Sequence, residues 1–171
     1  MKVSDAVAGW LKDRGIGYVF TVSGGANLHM IHSIAKTDGL KYICPQSEMA
    51  AGFAADAYAR IHGAGCALAT SGPGALNLVT AISASFYDSI PVLYLTGNQT
   101  VQRMDSMGTR QYGFQASPVV EIVKPITKFA QMVTDPEEVI SVLNKAWASM
   151  GSLRPGPALV DIPDDIARAQ C

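Results

Sequence analysis

The chain has 171 residues, enough for one domain with a sizeable core. Apolar residues make up 49% and charged residues only 16%, a balance that points to surface covered by another domain or subunit. The net charge is −1 with no basic run, which argues against nucleic-acid binding, because phosphate contacts need clustered Lys and Arg. No stretch of about 18 apolar residues suits a membrane span. The start, Met1-Lys2-Val3-Ser4-Asp5-Ala6, lacks the basic-then-apolar order of a signal peptide. Cys44, Cys66 and Cys171 are scattered, so neither a disulfide framework nor a zinc site is indicated, and a cytoplasmic setting is expected.

In chain order, Ser4 or Asp5 is expected to cap a first helix that buries Val7, Trp10 and Leu11. Tyr18–Val22 reads as a buried strand ended by Ser23-Gly24-Gly25. A helix follows at 27–35, then a second strand, Leu40–Cys44, ended by Pro45. Residues 48–61 form a helix rich in Ala and Gly. Cys66–Thr70 is a third strand, 75–87 a helix, and Pro91–Thr96 a fourth strand ended by Gly97. Thr127–Val133 and Ala158–Ile162 are the fifth and sixth. Asp135-Pro136-Glu137-Glu138 opens the last long helix, with acidic residues in its first turn and Pro near its first position. That helix presents Val139, Val142, Leu143, Ala146 and Met150 to a core.

Short apolar runs bounded by Gly or Pro suit strands covered on both faces. Cys44 and Cys66 lie in such runs and are expected to be inert core residues. Strand and helix in alternation predict a three-layer α/β/α fold with a six-stranded parallel sheet and helices on both faces. The loops after the strands then collect along one edge, where ligands bind in open α/β sheets. Those loops are Ser23-Gly24-Gly25, Gln46-Ser47-Glu48, Ser71-Gly72-Pro73-Gly74 and Gly97-Asn98-Gln99. The longest irregular stretch, from about Asn98 to Pro118, carries Arg103, Met104, Met107, Arg110, Tyr112 and Phe114. A stretch that long usually has a function.

Two local patterns carry chemistry. Glu48 is a lone acid in an apolar helix. Ser47 as cap and a favourable helix dipole explain it structurally; a desolvated carboxyl holding a proton or hydrogen bond explains it functionally. Ser71-Gly72-Pro73-Gly74 reads either as a tight turn or as a phosphate cradle. It lacks the third glycine of a dinucleotide fingerprint and the Gly-Lys-Ser/Thr of a P-loop. His29 and His32 are three apart on a helix but have no third ligand near in sequence, so no metal site is expected. The Gly-x-Ser-x-Gly nucleophile elbow is absent.

Taken in order, these segments resemble the N-terminal pyrimidine-binding domain of thiamine-diphosphate enzymes, of the acetolactate synthase large-subunit type. The resemblance rests on Val22-Ser23-Gly24-Gly25-Ala26, Ser47–Ala51 with Asp56–Arg60, Thr70–Asn77, Asp88–Pro91 with Thr96-Gly97, Phe114-Gln115 with Lys124–Lys128, and Arg154–Pro157 with Asp161–Asp165. It covers nearly the whole chain. It implies that Glu48 hydrogen-bonds N1′ of the aminopyrimidine and promotes the imino tautomer that takes the proton from thiazolium C2. The carboxyl's pKa should then be raised by burial. The resemblance further implies Pro73 and Asn77 as ring contacts, Ser23 and Gly24 near the reacting centre, Asn98 lining the site, and Gln115 pointing into it from the partner side.

Departures bear on the substrate. Ser23 stands where the synthases usually have Pro, Ser47 where His is common, and Ala116 where Glu often follows Phe-Gln. The Thr109–Gly113 spacing also differs. No Gly-Asp-Gly occurs, so Mg²⁺ is expected in a separate diphosphate-binding domain or subunit. FAD is left open with no motif in its favour. The expected boundaries are a pyrimidine-binding domain at 1–166 and the start of a linker or tail at 167–171.

The resulting expectation is one domain of a 2-keto-acid decarboxylase or carboligase, inactive in isolation and acting as a homodimer or homotetramer. An excised domain of a longer enzyme is favoured over a stand-alone subunit. The alternatives are a split phosphonopyruvate- or sulfopyruvate-type decarboxylase subunit and a non-catalytic nucleotide-binding module.

Overall fold

The computed structural model describes residues 1–104 and 113–171, apart from the Met104 side chain. The expectations placed on Met107, Arg110 and Tyr112 therefore lie outside the described residues. Six strands form one all-parallel sheet: β1 (Tyr18–Thr21), β2 (Lys41–Ile43), β3 (Gly65–Ala69), β4 (Val92–Asn98), β5 (Phe129–Met132) and β6 (Ala158–Pro163). Their spatial order is β2-β1-β3-β4-β6-β5. The helices are α1 (Val3–Asp13), α2 (Leu28–Lys36), α3 (Glu48–His62), α4 (Pro73–Leu76), α5 (Val79–Asp88), α6 (Val101–Met104), α7 (Val119–Val123), α8 (Val139–Gly151) and α9 (Asp164–Arg168).

Side chains alternate across each strand, so the sheet builds two cores. Cys66, Leu68, Leu93, Leu95, Val160 and Ile162 meet α1, α2 and α8 on one face. Ala67, Ala69, Val92, Tyr94 and Leu159 meet α3, α5 and α7 on the other. The three-layer expectation is met. So is the core stripe of α8, where Val139, Val142, Leu143, Ala146 and Met150 are all buried. Asp135 opens that segment by accepting a bond from the Glu137 N–H at 3.0 Å.

Three local expectations are corrected. The strand β2 is exposed along its length rather than covered, because it lies at the sheet edge, and Cys44 just beyond it is exposed. The helix α1 begins at Val3 with Lys2 as cap. Ser4 and Asp5 therefore lie inside it and accept bonds from Ser33 Oγ at 2.9 and 2.6 Å, tying α1 to α2. The helix expected at 75–87 breaks into α4 and α5 around Asn77 and Leu78. Arg168 ends α9, and Gln170 forms an isolated antiparallel bridge with Lys2.

The strand order places β1 beside β3, while their crossovers run to opposite faces: α2 on one, α4 and α5 on the other. A crevice opens at the carboxyl ends of strands where crossovers diverge in this way.

Candidate functional site

A cavity of about 400 Å³ lies at that switch point. Its walls come from the ends of four strands: Gly24 and Gly25 after β1, Thr70 and Ser71 after β3, Asn98 at the end of β4, and Asp164 after β6. Arg103, Phe114, Gln115 and Arg168 complete much of the rim. Buried Asn27 pins the first loop, accepting from the Gly24 N–H at 2.9 Å and donating to the Val22 carbonyl at 3.0 Å. Thr70 Oγ1 accepts the Ala26 N–H at 3.3 Å, which joins the β1 and β3 loops.

The glycine turn works by close packing. Gly72 has φ of +57°, a conformation that strains any residue with a Cβ. A methyl there would also collide with the Gln115 carbonyl. Gln115 itself stands at φ +54°, so two unusual backbone positions abut at the cavity rim. A Cβ on Gly74 would lie 2.7 Å from Thr70 Cγ2 and 3.3 Å from Glu48 Oε1. Its absence brings the turn against the Glu48 carboxylate.

Glu48 opens α3. Ser47 caps the helix, its Oγ accepting the Ala50 N–H at 3.2 Å. Glu48 Oε2 accepts a bond from Asn77 Nδ2 at 3.0 Å. Asn77 lies just past α4, which begins with exposed Pro73. The glutamate is only half-buried, so the expected burial is not supplied by this chain's own atoms. Around it Met49 is 46% exposed and Phe53 41%, and Leu76 on α4 is also exposed.

The site residues expected from the sequence thus form two groups. Gly24, Asn98 and Gln115 line the cavity. Glu48, Pro73 and Asn77 form a ledge beside it, sharing the Thr70–Gly74 wall. Ser23 is exposed next to Gly24 and is not among the lining residues. His29 Nε2 lies 3.8 Å from Asp164 Oδ1, at the outer rim.

Sequence reading missed Asp161. It is 1% exposed and accepts bonds from Thr96 Oγ1 at 2.6 Å and Asn98 Nδ2 at 2.7 Å. Burial pushes its carboxyl up to about 6, against the pull of those two bonds. Its signals were an acid inside an apolar strand, Ala158–Pro163, and its place at the head of the Asp161–Asp165 segment.

The groups on the ledge suit a flat heteroaromatic ring. Among the described residues Oε1 of Glu48 carries no hydrogen bond, the turn beside it is stripped of side-chain bulk at Gly74, and Met49 and Leu76 offer apolar surface. A parallel sheet with a switch-point cavity and an adjoining carboxylate ledge defines a ligand-binding α/β domain. Residues 1–122 match the family described as thiamine pyrophosphate enzyme, N-terminal TPP binding domain, and the chain belongs to that family.

The chain is similar to acetolactate synthases. It is 37% identical over 166 residues to the chloroplastic acetolactate synthase of Arabidopsis thaliana, covering 96% of this chain and 24% of that one. It is 39% identical over 166 residues to chloroplastic acetolactate synthase 2 of Zea mays, covering 96% and 25%. It is 39% identical over 164 residues to the acetolactate synthase of Arthrospira platensis, covering 94% and 28%. The chain therefore spans about a quarter of the length of these curated relatives.

Proposed function

We propose that this chain is the pyrimidine-binding domain, residues 1–166, of a thiamine-diphosphate-dependent 2-keto-acid decarboxylase or carboligase. The observation that carries the reading is the Glu48 carboxylate, oriented by Asn77 at 3.0 Å and set against the side-chain-free turn at Gly74. When bound, the cofactor supplies a nucleophilic C2 and an electron sink. The protein's part is proton control. Glu48 holds a proton at N1′ of the aminopyrimidine and exchanges it as charge moves through the ring. Asn77 fixes the carboxylate's rotamer, and Pro73 and Asn77 bound the ring's edge. Gly24, Asn98 and Gln115 shape the cavity that receives the keto acid, with Ser23 at its mouth.

The remaining chemistry belongs to groups outside this chain. Mg²⁺ and the diphosphate are held by a separate domain or subunit, and FAD is left open. A homodimer or homotetramer is supported by the exposed apolar residues around Glu48. Covering that face desolvates the carboxyl and completes what this chain leaves half-open. The assembled enzyme works in the cytoplasm.

The test is Glu48→Gln in the assembled enzyme. Exchange of the cofactor's C2 proton, followed by NMR, should slow by at least about a hundredfold, the lower end of the range for one acid–base group. Exchange at the wild-type rate would remove Glu48 from this role.

A further inference from the structure

Asn98 is 4% exposed and lines the cavity. Its amide is almost fully committed. Oδ1 accepts the Gln99 N–H at 2.9 Å, and Nδ2 donates to Asp161 Oδ2 at 2.7 Å. These two bonds fix the amide orientation, because reversing it would set oxygen against carboxylate and N–H against N–H. One Nδ2 hydrogen stays unassigned among the described residues. A buried donor left without an acceptor is costly, so this hydrogen calls for an oxygen from a space that Asn98 lines, either this cavity or a second one that it lines with Ser117, Lys124 and Asp161.

Asp161 is an unusual partner for a structural role alone. Its other oxygen accepts from Thr96 Oγ1 at 2.6 Å, so two neutral donors hold it. No ion pair reaches it among the described residues. A buried carboxylate without a cation is expensive, and a neutral side chain of the same shape would fill the space more cheaply. The carboxylate adds one thing an amide cannot: it only accepts, so it locks Asn98 with the N–H outward.

We propose that Asp161 is a positioning residue that holds the Asn98 amide so that its second N–H donates to the carboxylate of the 2-keto acid in the cavity. The proposal rests on the preceding reading of the cavity as the substrate side of the site. Asn98 touches substrate; Asp161 acts only through Asn98. No covalent or redox step is added.

The experiment uses the assembled enzyme and the best substrate from a panel of linear 2-keto acids, beginning with pyruvate. Asn98→Ala should raise KM at least about tenfold, the worth of one buried hydrogen bond to a charged group. Asp161→Asn keeps the shape but lets the amide reverse. KM should rise several-fold, and kcat should fall less than KM rises. The double exchange Asn98→Asp with Asp161→Asn restores the hydrogen bond with donor and acceptor reversed. Its Tm should return to within a few degrees of wild type, while KM stays raised at least about tenfold, because an acceptor now faces the substrate carboxylate.

Recovery of both Tm and KM in the double exchange would make the pair purely structural and overturn the proposal. If the double exchange does not fold, Asp161→Asn alone decides: a wild-type KM at pH 7 overturns it. Glu48→Gln run alongside separates the two levels. Lost C2 exchange there, with unchanged KM in the Asp161 variants, defeats the positioning role alone. Unchanged exchange, or no turnover of any keto acid by wild type, defeats the reading on which it rests.

Discussion

Two buried carboxylates face the α3 side of the sheet, and their surroundings differ in one respect. Asp56, in the middle of α3, accepts from Arg60 Nε at 2.6 Å and from Ser85 Oγ at 2.7 Å. Ser85 Oγ is 2.9 Å from the buried Tyr94 hydroxyl, and Arg60 also reaches Asp88 at 2.6 Å. This network ties α3 to α5 and β4, and the two carboxylates hold the Arg60 guanidinium well above its ordinary pKa. Asp161 has two neutral donors and no such cation among the described residues. The neutralised carboxylate is not among the cavity-lining residues and builds the fold. The other one abuts Asn98 on the cavity wall. A carboxylate with a counter-ion needs no further account than stability; one without it points to a demand made by the site.

The contrast can be broken most strongly at Asp56. Asp56→Ala removes the acceptor for buried Ser85 and leaves the Ser85–Tyr94 hydroxyl pair without its terminal acceptor. Unfolding free energy should fall by about 3 kcal/mol, read from a urea midpoint. Next in size is the pH response of Asp161. Its carboxyl is raised from the ordinary carboxylate range to about 6. Between those values the folded chain keeps a proton that the unfolded chain has released. Its contribution to stability is therefore present below the unfolded pKa and is lost as pH rises toward 6 and above. Asp161→Asn cannot titrate, so its stability relative to wild type should drop by about 2 kcal/mol from pH 7 to pH 4 in parallel urea series. A constant difference would mean that the carboxyl is not perturbed.

Smaller effects sharpen the picture. Gly72→Ala forces a Cβ onto a left-handed backbone and into the Gln115 carbonyl. It should cost more than about 1 kcal/mol and displace the Phe114–Gln115 turn, visible as altered proteolysis near Gln115. The exposed Lys124–Glu121 pair at 2.6 Å is the control. Lys124→Ala should shift stability by less than about 0.5 kcal/mol, since exposed pairs are screened by water.

Much of the fold was legible in the sequence because its signals are local. The stripe Val139–Met150 has a helix period, and short apolar runs between Gly and Pro give the strands. The β2 edge was misread because a three-residue apolar run does not say whether anything covers it. Ser4 read as a cap by residue type, yet it lies inside a helix that starts two residues after the chain does. In the site, the Glu48 ledge was legible as a sequence of motifs, since Ser47, Glu48 and the turn at 71–74 each have a local signature. The Asp161–Asn98 bond was not. It joins residues 63 apart, and only the pairing of β4 with β6 brings them together. Hydrogen bonds across sheet neighbours leave no periodic trace.

We propose a division of labour, with Glu48 acting on the cofactor and the Asn98–Asp161 pair acting on the substrate, the second role resting on the first. It is tested most directly by C2 hydrogen–deuterium exchange of bound thiamine diphosphate in the assembled enzyme, measured for Glu48→Gln beside wild type. Exchange should be slowed by at least about a hundredfold in Glu48→Gln. Exchange as fast as in wild type would contradict it.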